Sequence, residues 1–182
     1  LEEIIGHKRL RPRAVAGFWP VNSIGEDVEV YSDENRADTI ARFHFLRQQR
    51  QKREGQVCRS LADNVAPRDS GRIDYLGGFV VTAGSDVDEL AATFRNEGDD
   101  YSAIIMQALG DRLAEATAEY LHKIMRDQCG LGKVEGFAAG TKIDEEQAKF
   151  LIGEKYSGIR PAAGYPSCPD HSEKVALWKL LD

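Results

Sequence analysis

Arg160 to His171 reads RPAAGYPSCPDH, with three prolines, one glycine and one aromatic residue between two helical patterns. Proline fixes φ and glycine permits φ > 0, so this backbone follows a specified, rigid path with free amides and carbonyls. Beside an arginine, such a path suits a site that grips a carboxylate bidentately and offers main-chain groups to a flat base. Residue chemistry alone favours a plainer reading, a structural inter-helix loop with Arg160 in a surface ion pair. Two carboxylates are further candidates. Glu115, in DRLAEATAEYLH, lies one turn from the apolar Leu113/Ala116 stripe, and Glu154 precedes Arg160 by six residues. Either can approach a bound cation, yet an acid so placed more often pairs along its helix or points to water.

Other reactive side chains form no constellation. His44 falls on a strand's polar face, His122 on a helix flank and His171 at a helix start. No HExxH or HxH sets two imidazoles at metal-ligand spacing, so no metal site is expected. Cys168 and His171 stand three residues apart across Pro169, a poor geometry for a nucleophile and base. No GxGxxG or GxxxxGK[ST] is present, which argues against nucleotide binding in those modes. The residues alone therefore point to no catalytic group.

The elements that position these residues are readable. AVAGF (14–18) and VEVY (28–31) flank a turn-rich PVNSIGED, and DTIARFHFL (38–46) alternates, with Ala41, Phe43 and Phe45 on one face. Three strands without helical connections predict an antiparallel meander. A polar, basic stretch (46–56) follows, with Lys52 to Gly55 as its tip. Ser60 is expected to cap a short helical turn that Pro67 stops. A fourth strand is expected around Leu76–Ala83, with Gly77-Gly78 marking a bulge or a close approach. Ser85-Asp86 should cap a helix over 86–97. A longer core helix, about 99–127, should bury Tyr101, Ile104, Ile105, Ala108, Leu109, Leu113, Ala116, Tyr120 and Ile124 at helical spacing. Residues 129–142 read as a connection, Thr141 or Asp144 as the cap of a helix over 144–156, and Asp170 to Glu173 as a capping box for the last helix.

The chain is long enough for a buried core, and its 42% hydrophobic and 30% charged residues are ordinary for a globular domain. A net charge of −6 argues against nucleic acid as the main partner. No apolar run reaches membrane-spanning length and no signal-peptide core is present, so no membrane partner is expected. Three scattered cysteines without a CxxC read as reduced thiols of a cytoplasmic protein. The start at Leu1 and the stop inside a helical pattern suggest a piece of something larger.

Taken together, six blocks change these odds: VAGFWPVNSIGEDVEVY (15–31), FHFLRQQ (43–49), LADNVAP (61–67), DYLGGFVVTAG (74–84), DDYSAIIMQALGDRLAEATAEYLH (99–122) and YSGIRPAAGYPSCPDHSEK (156–174). In this order they resemble the C-terminal reactivation domain of cobalamin-dependent methionine synthases. The resemblance covers nearly the whole chain and is weakest in 1–13 and 127–150. It implies an α+β fold, a twisted antiparallel β-sheet with flanking helices, over residues 1–182, with 1–13 a lead-in from a preceding region. It implies binding of S-adenosylmethionine and docking over the cobalamin-binding domain of the same polypeptide. There, oxidised cobalamin takes an electron from a flavodoxin-type reductase and a methyl from the ligand.

By the same resemblance Arg160 holds the methionine carboxylate, and Pro161, Ala162, Ala163 and Gly164 form the backbone beside the adenosine. Tyr165 meets the corrin face, and Glu115 and Glu154 stand near the ligand's positive end. The family often has proline where this chain has Ala163. Physically, a sulfonium beside a carboxylate and an ammonium asks for one arginine and nearby acids. Reduced cobalamin is itself the nucleophile, so the protein needs to position reactants and needs no catalytic side chain. The family domain extends further on both sides, so this stretch is expected to bind or act weakly alone. The alternatives are a non-catalytic docking module for the flavodoxin-type partner or the cobalamin domain, and a stand-alone methyltransferase, which the absent glycine-rich loop disfavours.

Overall fold

The computed structural model describes residues 10–134 and 143–182. They divide into two compact units, one of Ala16–Phe79 with Ile159–Asp182, the other of Leu1–Val15 with Val80–Gly158. The first is built on a four-stranded sheet and the second on helices.

The sheet has the order β3-β2-β1-β4, formed by β1 (Arg13–Ile24), β2 (Asp27–Tyr31), β3 (Thr39–His44) and β4 (Asp74–Thr82). Strands β1, β2 and β3 form the expected antiparallel meander, with Val21 opposite Val30 and Val28 opposite Phe43. Together with the helices it makes an α+β fold. The expected turn at 20–27 is mostly strand: β1 runs through Pro20, Asn22 and Ser23, and the reversal is confined to Gly25-Glu26, with Gly25 at φ +63°. Pairing with β2 begins at Val21, after the proline. Asn22 and Ser23, read as turn formers, instead turn their side chains to a distant loop. Asn22 Nδ2 donates to the carbonyls of Ala66 (3.0 Å) and Arg72 (2.7 Å), and Ser23 Oγ donates to that of Val65 (3.0 Å).

Alternation gives the sheet two faces. On one, Val21, Val28, Val30 and Phe43 pack with Phe45, Ala62 and Cys168, and helix α5 (Glu173–Leu181) adds Ala176, Leu177 and Leu180. The other carries Asn22, Glu29 and Arg42 in register. There the buried Glu29 accepts from Arg42, from Arg68 (3.0 Å) and from the Tyr31 hydroxyl (3.2 Å). Burial, then the bond to Glu29, pushes the Tyr31 phenol above its usual range. The Gly77-Gly78 pair marks a close approach by side chains: a Cβ on Gly78 would lie 2.5 Å from Leu177 and 3.1 Å from the Trp19 ring. The Ser60 cap forms as expected, with Asp63 closing a capping box over the 3₁₀ turn Leu61–Asn64.

The helical unit holds α1 (Asp86–Asn96), α2 (Asp100–Gln128), the short α3 (Leu131–Val134) and α4 (Glu145–Ile152). Ser85 precedes α1 without a side-chain cap, whereas Asp99 caps α2 through Ser102 N (2.9 Å). The buried face of α2 is not the expected one. Ala103, Met106, Gly110 and Ala118 are buried, while Tyr101 (77%), Ile104 (63%), Ile105 (50%) and Tyr120 (53%) are exposed. Close approach sets part of this: a Cβ on Gly110 would stand 2.6 Å from Val87 of α1, so at that point only glycine fits, while Met106 packs with Ala91 and Ala103 beside it. Within the expected connection 129–142, Leu131–Val134 is helical; Thr141 and the rest of 135–142 lie outside the described residues, as does most of the lead-in.

Candidate functional site

The 160–171 stretch is a loop closed on itself. Gly164 N donates to Cys168 O (2.8 Å), Cys168 N to Tyr165 O (2.9 Å) and Tyr165 N to Ala162 O (3.3 Å). Gly164 sits at φ +100°, and a Cβ there would meet the His171 ring at 2.3 Å, so the imidazole takes the place of a side chain. Ala163 anchors the loop on the sheet core, and the Cys168 side chain is buried below it. Burial pushes the Cys168 thiol up, and Glu173 and Asp170 add to that, the opposite of what a nucleophile needs. Pinned from inside, the loop leaves the amides of Ala162 and Ala163 without a hydrogen-bonding partner among the described residues. Tyr165 stands 66% exposed, and Arg160 is half-buried at the loop's start.

The expected capping box at 170–173 does not form. Asp170 accepts from Ser172 N (2.8 Å), which holds its carboxyl below the usual range. Glu173 turns away and accepts from His44 N on β3 (3.0 Å). Burial raises the Glu173 carboxyl above its usual range despite that bond. The loop is thus tied to the sheet by Glu173 and to itself by Gly164.

The two candidate acids belong to the helical unit. Glu115 is exposed and paired with Arg112 at 2.7 Å, one turn before it on α2. Glu154 lies beyond the end of α4, which stops at Ile152 and not at 156. Its N–H donates to Leu151 O (3.0 Å) and that of Lys155 to Phe150 O (3.3 Å), a closure that puts Glu154 at φ +49°. That left-handed position is ordinarily glycine's.

Sequence reasoning missed the groups that fix the segment before Arg160. On α2, buried Arg126 places its guanidinium 4.3 Å from the Tyr156 ring centroid and donates from Nε to Ser157 O (3.1 Å). His122, one turn earlier, meets the same ring edge-on at 5.1 Å. The available signal was the i,i+4 spacing of His122 and Arg126 on a helix with Tyr156-Ser157 downstream. Buried Lys123 and half-buried Asp127 form a second pair there at 2.6 Å. The candidate residues thus fall into two groups, Arg160 to Tyr165 on the sheet unit's loop and Glu115 and Glu154 in the helical unit. Among the described residues no group of three or more His, Cys, Asp or Glu is placed to hold a metal ion. No described helix is long and apolar enough to cross a membrane.

Comparison with solved structures finds a crystal structure of the MetH reactivation domain bound to AdoHcy, at 45% identity with a TM-score of 0.86. The match covers 99% of this chain and 53% of that one, so the chain spans about half the length of the structure it matches. The family model for the vitamin B12 dependent methionine synthase activation domain matches residues 1–182. A closed loop presenting an arginine, free amides and an exposed tyrosine, on a sheet and helix framework shared with that relative, has its place in this lineage: the chain belongs to the family of vitamin B12 dependent methionine synthase activation domains.

Proposed function

We propose that residues 1–182 form the S-adenosylmethionine-holding part of a cobalamin-dependent methionine synthase, a methyltransferase of the cytoplasm. The observation that carries this reading is the 45% identity, over 99% of the chain, to a reactivation domain bound to AdoHcy. AdoHcy is what remains of S-adenosylmethionine after its methyl has left. In this reading Arg160 grips the ligand carboxylate. Pro161 and Gly164 hold the turn open while the amides of Ala162 and Ala163 face the adenosine. Glu115 and Glu154 supply negative charge near the sulfonium and ammonium, and Tyr165 faces the cobalamin-binding domain of the same polypeptide. Cobalamin, held by that neighbour, supplies the nucleophilic metal centre. The residues here bind and orient the methyl donor and keep water from it, which is why no general base is needed. A flavodoxin-type protein delivers the electron, and the isolated fragment does not complete the cycle. A docking role without ligand gains nothing from the relative's bound AdoHcy.

Glu154, in the left-handed region as Arg36 is, carries a second test of the site. A non-glycine residue in the left-handed region costs about 1 kcal/mol, and such outliers collect where function requires a side chain. Calorimetry of S-adenosylmethionine binding tests both residues. Arg160→Ala is expected to weaken binding by at least ~1.5 kcal/mol. Glu154→Gly is expected to weaken binding while raising stability by about 0.5–1 kcal/mol. Unchanged affinity in Arg160→Ala would sink the site.

A further inference from the structure

One side of α2 carries a polar stripe. Glu115, Glu119, His122 and Arg126 recur at intervals of four, three and four residues, which sets them in a row along the helix. Burial deepens along the row: Glu115 is exposed, Glu119 and His122 are half-buried, and Arg126 is buried. The deep end grips a neighbouring segment. Arg126 lays its guanidinium 4.3 Å from the Tyr156 ring centroid, within cation–π range, and its Nε donates to Ser157 O (3.1 Å). His122 meets the same ring edge-on. Two consecutive residues are thus held by one helix, the first by its ring and the second by its carbonyl.

Glu154 lies just before that clamp and just after another. At the end of α4, Gly153 N donates to Lys149 O (3.0 Å), Glu154 N to Leu151 O (3.0 Å) and Lys155 N to Phe150 O (3.3 Å). The Glu154 backbone is therefore fixed on both sides, at 153–155 by the helix end and at 156–157 by Arg126. Gly158 follows at φ +100°, with open space where a Cβ would stand, so the clamp separates Glu154 from the first permissive joint downstream. Glu115, the other acid assigned to the ligand's positive end, is carried by the helix that does the clamping. Both carboxylates are held by reference to α2.

We propose that Arg126 is a positioning residue: through Tyr156 and Ser157 it fixes Glu154, and so sets the preference for the methyl donor over its demethylated product. The inference rests on the reading of Arg160 and Glu154 as ligand residues. The chemistry is a difference of one charge. S-adenosylmethionine carries a sulfonium cation, and loss of the methyl leaves a neutral thioether, with the ammonium and carboxylate present in both. A carboxylate anchored by its backbone near the sulfur meets that extra charge in the donor alone. On a loose backbone it swings as readily to the ammonium, which both ligands share, and the discrimination is lost.

The test is calorimetry of the intact protein with S-adenosylmethionine and with AdoHcy, read as the ratio of the two affinities. The wild type is expected to favour S-adenosylmethionine. Arg126→Leu and Tyr156→Leu are expected to lower that ratio by about fivefold, mostly through the methyl donor, as Glu154→Gln does. Arg126→Lys keeps the charge but not the flat fork and should fall between. Tyr156→Phe keeps the ring and should recover the wild-type ratio. In a Glu154→Gln background Tyr156→Leu should change the ratio no further, because its effect runs through the carboxylate. Thermal unfolding identifies the folded variants, and Arg126→Lys and Tyr156→Leu carry the test if Arg126→Leu does not fold. The inference is overturned if folded variants lose both ligands in equal proportion, keep the wild-type ratio, or act additively with Glu154→Gln. An unchanged ratio in Glu154→Gln itself, or unchanged affinity in Arg160→Ala, would remove the ligand reading and the inference with it.

Discussion

Each of the two units buries residues that hydrophobicity alone would not select, for different reasons. In the sheet unit a polar face is sealed: Asn22 is 0% exposed and Glu29 5%, each with every polar atom engaged. In the helical unit the first half of α2 hides Ala103, Met106 and Gly110 and exposes Tyr101, Ile104 and Ile105. Hydrophobicity predicts neither. Burial of Asn22 and Glu29 depends on partners for each donor and acceptor, and at Gly110 on a side chain small enough to allow the approach of Val87.

Asn22→Ala should separate these rules most sharply. It removes the bonds to Ala66 O and Arg72 O and the acceptor of Arg36 (3.1 Å), and opens a void where a fully buried side chain stood, while Ala66 O keeps the Ser23 amide. A loss of about 3 kcal/mol in urea unfolding is expected; a loss under about 1 kcal/mol would mean water replaces the side chain freely.

In the helical unit the matching change is Gly110→Ala. Overpacking against Val87 costs roughly 1–3 kcal/mol, and better helix propensity returns about 1. A net loss of ~1–2 kcal/mol is expected, with most of it recovered when Val87→Ala is added. Tyr101→Ser, a far larger loss of apolar surface, should move stability by no more than about 0.5 kcal/mol. If Tyr101→Ser proves the costlier change, size is not what selects the buried face.

The smallest effects are electrostatic and of opposite sign. Asp63, held at about 2 against a usual 3.8, contributes stability that is complete above pH ~4 and is lost as pH falls toward its folded value. The pair with Arg47 is partly exposed, so under about 1 kcal/mol is expected. Glu173 behaves in reverse. Its folded carboxyl lies above the usual 4.5, so the ionised form is a burden, and stability rises as pH falls from neutrality through the raised value toward 4.5. Glu173→Gln keeps an acceptor for His44 N and should abolish that rise. Denaturation of both proteins at pH 7 and pH 5 checks it; a Gln variant with the same pH slope would show that Glu173 is not its source.

Much of this was legible in the chain. Alternation at 38–46 placed Phe43 and Phe45 inward, and Ser60 announced its own cap, to which the fold adds Asp63. Local signals stop where a distant partner decides. Asn22 and Ser23 look like turn residues until the Val65–Arg72 loop is there to receive them, and Glu173 looks like a cap until His44 is in reach. On α2 the periodicity was right and the face wrong, because a 3.6-residue pattern says which residues lie together and not which side a neighbour approaches. For the site, the loop's rigidity followed from its prolines and Gly164, but the packing of His171 onto that glycine and the backbone of Glu154 had no local signature, and the clamp of Arg126 on Tyr156 had only the i,i+4 spacing of His122 and Arg126 to announce it.

The bond from Glu173 to His44 joins residues 129 positions apart, with the whole of Val80–Gly158 lying between the two pieces of the sheet unit. A ribosome delivering this chain from its N-terminus therefore releases the strands long before the helix that covers them. Val28, Val30 and Phe43 must wait for Ala176, Leu177 and Leu180, while α1 and α2 can pair as soon as they emerge. The order of assembly is the reverse of the order of synthesis for the sheet, and the interval is when an unprotected strand surface is open to aggregation or to a chaperone.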